Sequence, residues 1–238
     1  MKHRKRLLAI VLLSVTAVAL GFWAYVSAYY RATDAALACF EGDDGLRVKS
    51  VDGVVCIESP DSADGLVFYP GGKVQAEAYL PLLRRIARDG IDCYLVKMPI
   101  NLAVFGINRV EGVMEDHPHA RWVLAGHSLG GAMAALWAAE HPGVLHGLAL
   151  LAAYPIKPLP ENLKVLLLYG SADGVLNRAN LEKTMTLLPA DAVVAQLPGG
   201  NHARFGSYGA QRGDGTATIT PEAQWDMTAK YIRNLFRE

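Results

Sequence analysis

The segment that most restricts the fold is Trp122-Val123-Leu124-Ala125, followed by Gly126-His127-Ser128-Leu129-Gly130 and by a helix-forming stretch from Gly131 to Glu140. The first part is a short apolar run. The last is dominated by alanine, leucine and methionine and stops at His141-Pro142-Gly143. Strand, sharp turn, helix is the setting in which a G-x-S-x-G pentapeptide raises a serine above the end of a sheet. The glycines have a steric reason to be there, since side chains at those positions would collide with the adjoining strand and helix. Ser128 is therefore the candidate nucleophile, and the Leu129 N–H, opening the helix, points toward its reaction partner. The competing reading is a glycine-rich turn with an incidental serine.

A serine needs a base, and the base needs an orienting acid. Lys164-Val165-Leu166-Leu167-Leu168-Tyr169 reads as a buried strand running into Gly170-Ser171-Ala172-Asp173-Gly174. Ala192-Val193-Val194-Ala195-Gln196-Leu197 reads as another, followed by Pro198-Gly199-Gly200-Asn201-His202. Serine, then acid, then histidine, each just past a strand end, gives Ser128, Asp173 and His202 as a candidate triad. Asp173 also reads as a simple turn residue, with Asp214 the main alternative acid. Asp191 precedes its strand and falls at the other end of the sheet. His127 is expected to pack or hydrogen-bond locally, and His117, His119, His141 and His146 to lie at the surface.

A second donor for a developing oxyanion is expected in the loop after Leu66-Val67-Phe68-Tyr69, where Pro70-Gly71-Gly72-Lys73 leaves bare main-chain N–H groups. Gly72 pairs with Leu129 as the candidate oxyanion hole, with Lys73 as the neighbouring alternative. The phosphate-loop pattern G-x-x-x-x-G-K-[ST] is absent from the sequence.

With these residues in hand the chain resembles the α/β-hydrolase superfamily. More narrowly it is similar to a compact, dienelactone-hydrolase-like group, through Phe68-Tyr69-Pro70-Gly71-Gly72-Lys73-Val74, Lys97-Met98-Pro99-Ile100-Asn101-Leu102-Ala103, the serine turn, and Gly199-Gly200-Asn201-His202-Ala203-Arg204-Phe205-Gly206. The resemblance covers residues 45–238. It implies cleavage of an ester, thioester or amide through an acyl-enzyme, and names no substrate.

The start of the chain carries its own instruction. Lys2-His3-Arg4-Lys5-Arg6 is a cationic cluster, and the stretch that follows is free of charge and long enough to cross a bilayer. Phe22, Trp23, Tyr25, Tyr29 and Tyr30 gather at its far end as an interfacial aromatic belt does. The expected organisation is a basic N-terminus on the cytoplasmic side (1–6), a transmembrane signal anchor (7–28), a linker (29–44) and an extracytoplasmic catalytic domain (45–238). Val26-Ser27-Ala28 would also serve as a cleavage site, which leaves secretion as the alternative.

The catalytic segment has the size of a single α/β core, about 190 residues. Formal net charge is zero, with no basic face, so nucleic acid is not an expected partner. No metal-ligand spacing and no dinucleotide motif is present, so no cofactor is expected. Cys39 and Cys56 flank an opening hairpin and would pair in an oxidising compartment, or all three cysteines stay unpaired thiols. Helices are expected over 75–88, ending near 117, over 178–188 and over 221–236, the last with Pro221 at its first position. Alternating strands and helices imply α/β architecture, a mostly parallel sheet with helices on both faces. Residues 152–162 are too few for a helical lid domain, so the site is expected to be open to a small ester or to an acyl group of an envelope component. Hydrolysis, acyl transfer by the same triad, and non-catalytic binding on the same fold are the three functional readings. Oligomeric state is not legible.

Overall fold

The computed structural model describes residues 2–41, 45–60 and 62–237. A hairpin opens the sheet: β1 (Arg47–Val51) and β2 (Val54–Glu58) turn at Asp52-Gly53, both at positive φ (48° and 80°), the geometry a two-residue hairpin loop demands. Then follow β3 (Asp64–Tyr69), β4 (Ile91–Val96), β5 (Arg121–His127), β6 (Gly147–Leu151), β7 (Lys164–Gly170) and β8 (Val193–Leu197). The helices are α1 (Lys2–Ser27), α2 (Asp34–Leu37), α3 (Leu80–Ala87), α4 (Arg109–Asp116), α5 (Leu129–Glu140), α6 (Arg178–Thr184) and α7 (Pro221–Leu235).

The eight strands form one sheet in the order β1-β2-β4-β3-β5-β6-β7-β8. The β1–β2 and β2–β4 pairs are antiparallel and all the rest parallel. Covered on both faces, β6 and the Trp122–Ala125 part of β5 read as unbroken apolar runs, as buried parallel strands do. On one face α3 and α7 close a core built on Leu82, Leu83, Ile86, Trp225 and Ile232. On the other, α4, α5 and α6 close a second core around Val110, Trp137, Leu150 and Leu181. The chain leaves β3 toward β4 and returns past it to β5. That reversal opens a crevice at the carboxyl ends of β3 and β5, where α/β sheets bind ligands.

The expected helix over 75–88 is divided into a 3₁₀ turn (Ala76–Tyr79) and α3, because Pro81 at the helix start supplies no N–H and suits a first turn. Residues 152–163 hold no helix, so no lid interrupts β6 and β7. The three cysteines are thiols. The sheet itself separates the proposed pair: Cys39 packs against the α3/α7 core, whereas Cys56 lies in the α4/α5 core.

Residues 30–40, expected within a linker, are packed on the domain. Tyr30 bridges to Val74 in parallel fashion, Thr33 N donates to Ser207 O at 2.9 Å, and Ala36 of α2 is fully buried. Residues 42–44 of that expected linker lie outside the described residues. Ahead of them α1 exposes most of its described side chains, and His3–Ser27 is long and apolar enough to cross a membrane.

Candidate active site

Ser128 sits between β5 and α5 with φ 52° and ψ −121°. For a residue with a side chain this region costs on the order of 1–3 kcal/mol and persists only where the surroundings fix it. They do so by backbone bonds and by steric exclusion. Ser128 N donates to Leu151 O at 2.9 Å, and Ala132 N to Ser128 O at 3.0 Å. A Cβ on Gly130 would lie 2.3 Å from both Tyr69 O and Pro70 O, and one on Gly126 2.6 Å from the Gly130 carbonyl carbon. The pentapeptide glycines are thus contact points between α5 and the strands beside it.

Asp173 and His202 come from the loops after β7 and β8, and the structure brings them together. His202 Nδ1 and Asp173 Oδ2 are 2.9 Å apart, with both side chains almost wholly buried. The other carboxylate oxygen accepts N–H bonds from Val175 (2.9 Å) and Leu176 (2.8 Å). Burial pushes the Asp173 carboxyl up. The hydrogen bond and charge of His202, with the two N–H donors, outweigh it and hold the group below the usual carboxylate range. His202 Nε2 is buried and has no hydrogen-bond partner among the described residues. Ser128 and His202 line the same cleft of about 370 Å³, walled by Leu129, Ala152, Tyr154, Ile156, Val175 and Leu176. No hydrogen bond joins Ser128 Oγ to Nε2; such bonds are often long in the free state and tighten with substrate.

Asp214, the alternative acid, does different work. Its Oδ1 accepts N–H bonds from Gly174 (3.1 Å), His202 (3.2 Å) and Gly215 (2.9 Å), and its Oδ2 one from Ala203 (2.8 Å). It ties the Asp173 loop to the His202 loop through backbone. Gln224 of α7, fully buried, clamps the same loop by giving Nε2 to Asn201 O (2.8 Å) and taking Asn201 N (3.1 Å).

On the opposite side of the crevice, Gly72 lies against Leu129: a Cβ there would come within 2.9 Å of the Leu129 side chain. The Lys73 N–H is committed to Asn101 O at 2.7 Å, which removes Lys73 as the alternative donor. Among the described residues neither the Gly72 N–H nor the Leu129 N–H is engaged.

This loop is set by Tyr79, which sequence reasoning missed, together with His127, expected to pack or hydrogen-bond locally. Tyr79 Oη accepts the Gly71 N–H at 3.0 Å and lies 2.7 Å from His127 Nδ1. The one hydroxyl thus ties the Gly71 N–H to the His127 ring. Complete burial, together with the charge of His202, depresses the His127 pKa well below the ordinary value, which keeps the ring neutral. The ring lies tilted against that of His202, centroids 4.5 Å apart and planes at 53°. His119, expected at the surface, is instead packed against Trp122 and hydrogen-bonded to Tyr94 Oη (2.8 Å), in space that Gly65 leaves open. Tyr79→Phe leaves two buried polar groups unpaired, about 1–3 kcal/mol for each. Denaturant melts should register that loss of stability. With the Gly72 loop loosened, kcat should fall about tenfold at constant KM, short of the 10²–10³ that complete donor loss costs.

Among the described residues no cluster of three or more His, Cys, Asp or Glu side chains is arranged for a metal. The fold and this crevice are those of an α/β-hydrolase. A model of the alpha/beta hydrolase family matches residues 65–226, and the chain belongs to that family. No curated protein matches it. Among solved structures, a bacterial membrane phospholipase A described as a virulence factor aligns over 100% of both chains, with TM-score 0.60 and 18% identity. Dienelactone hydrolase from Anabaena variabilis aligns over 80% of this chain and 98% of its own, with TM-score 0.60 and 12% identity. Est1E from Butyrivibrio proteoclasticus aligns over 82% of this chain and 100% of its own, with TM-score 0.58 and 13% identity.

Proposed function

We propose that the protein is a membrane-anchored serine hydrolase that cleaves carboxylic esters or thioesters through an acyl-enzyme on Ser128. The observation that carries this reading is a buried Asp173–His202 pair whose second ring nitrogen is unpartnered, in the same cleft as a serine held in strained backbone. His202 Nε2 takes the Ser128 proton as Oγ bonds to the acyl carbon. The ring then returns that proton to the leaving alcohol or thiol as its bond to carbon breaks. Asp173 holds Nδ1–H and stabilises the imidazolium. Gly72 and Leu129 N–H groups receive the oxyanion. Water, deprotonated by the same ring, releases the acid and restores Ser128. The apolar cleft walls, Ala152, Ile156, Val175 and Leu176, favour an acyl chain.

The reading extends to location. An uncleaved α1, with its positive charge gathered at the N-terminal end, holds the hydrolase outside the cytoplasm. A fluorophosphonate probe tests the chemistry directly. It should label the wild-type chain at Ser128 and leave Ser128→Ala unlabelled. An unlabelled wild type, or equal labelling of both, would refute the nucleophile.

A further inference from the structure

Only Ala28 and Tyr29 separate the end of α1 from the first residue locked onto the domain. Tyr30 N donates to Lys73 O (2.8 Å), Tyr30 O accepts from Gln75 N (2.9 Å), and Tyr30 Oη accepts from Arg212 N (3.1 Å). Extended chain spans at most about 3.5 Å per residue, so three steps keep the Tyr30 attachment within roughly 10 Å of the outer end of α1, whatever direction the helix takes. Tyr30 is bonded to the residue directly after Gly72. The face of the domain held against the end of α1 is therefore the one that carries the candidate oxyanion loop.

That face is apolar where it is exposed. Lys73 N holds Asn101 O, which fixes the Pro99–Asn101 turn beside it, and α1 touches the same turn. Ile100 and Asn101 both take positive φ (47° and 57°), a strained pair that leaves the Ile100 side chain 41% exposed. Val104 and Phe105 follow at 46% and 58%, on a turn packed against the nucleophile helix α5. On the wall of the cleft itself, Ile156 is 55% exposed. Lys73 Nζ lies 3.9 Å from the ring centre of Tyr25, near the end of α1, and Arg31 is exposed beside it in sequence. Cations at this junction suit anionic headgroups, and apolar side chains beside an anchor gain by entering the interface.

We infer that the Ile100–Phe105 segment, which packs beside the Gly72 loop and on the nucleophile helix, sits in the surface of the bilayer that α1 spans, and that the substrate is an acyl ester lipid of that same leaflet. This rests on reading α1 as an anchor and Ser128 as the nucleophile. A lipid then reaches Ser128 by lateral movement, with its ester at headgroup depth and its chain entering the apolar cleft.

Two measurements on the full chain test this. The first uses Ser128→Ala, Cys39→Ser protein in phosphatidylcholine vesicles containing phosphatidylglycerol, labelled with an environment-sensitive fluorophore at Val104→Cys or, as control, Asp191→Cys before β8. The label at 104 should be quenched by bromolipids and shielded from iodide at least several-fold more than the label at 191. Equal iodide quenching at both sites overturns the docking. The second mixes vesicles carrying wild-type protein and one fluorescent phospholipid with protein-free vesicles carrying another. Acyl release at least tenfold faster from the protein's own vesicles supports the same-leaflet substrate; equal release, or none from either by protein that fluorophosphonate still labels, overturns it. Failure of fluorophosphonate labelling strikes the hydrolase reading alone, since quenching is read without catalysis.

Discussion

Ser128→Ala should lower kcat for a short-chain nitrophenyl ester by about 10⁶-fold, the scale on which loss of a triad serine is felt elsewhere. The expectation follows from the proposed division of labour. With the hydroxyl gone, His202 has no proton to accept, while Gly72 and Leu129 still face the carbonyl. Residual turnover above buffer is then what oxyanion binding alone supplies. KM should change little, because Oγ makes no hydrogen bond among the described residues and the cleft walls are unaltered. Folding should be unaffected: the contacts that hold the turn run through Ser128 N, Ser128 O and the glycines, not through the hydroxyl. Steady-state kinetics with a thermal melt on the same preparation checks both halves, and wild-type turnover by the alanine variant would end the nucleophile proposal.

Asp173→Asn should cost about 10⁴-fold in kcat, because an amide in place of the carboxylate fixes the wrong imidazole tautomer. Asp214→Asn should behave differently. It weakens four backbone hydrogen bonds that position two loops, so it should lower stability and reduce kcat far less. Equal losses in the two variants would contradict the assignment of acid to Asp173. The pair also makes a pH prediction. Because the folded carboxyl of Asp173 is held below its ordinary value, it favours the folded state above about pH 4, where the unfolded chain is ionised, and that contribution fades as pH falls through the depressed value. Denaturation midpoints at neutral and acid pH should show the wild type losing more stability on acidification than Asp173→Asn.

How far the sequence speaks depends on how local the cause is. The serine turn is legible because its strand, its glycines and its helix are contiguous, and the contacts of Gly126 and Gly130 are with immediate neighbours in space. The sheet is legible from apolar runs separated by helices, since parallel strands covered on both faces need such runs. Asp173 and His202 can be proposed from their places past β7 and β8, but choosing Asp173 over Asp214 takes coordinates, because both stand in glycine-rich loops. The same holds for Lys73, whose N–H is withdrawn by Asn101 from a separate loop. Tyr79 and His127 meet across 48 residues, and nothing in the pattern of the helix around Tyr79 sets its hydroxyl apart from a buried aromatic. Gln224 offered more of a signal, as an amide beside Trp225 and Thr228 on the helix face that turns inward. The docking of residues 30–40 was hidden for a different reason: its anchors are hydrogen bonds through Tyr30, Ala32 and Thr33, one small buried alanine and a few half-buried side chains, which together leave no hydrophobic period.

The bare approach of Gly130 to the carbonyl oxygens of Tyr69 and Pro70 has a further consequence. With no side chain between them, the end of β3 and the start of α5 touch as backbone on backbone, so the gap between the Gly72 and Leu129 amides is set by the thickness of the main chain. Attempts to widen the pocket for bulkier acyl groups should therefore spare this seam and work on Ile156, Val175 and Tyr154, where side chains form the wall.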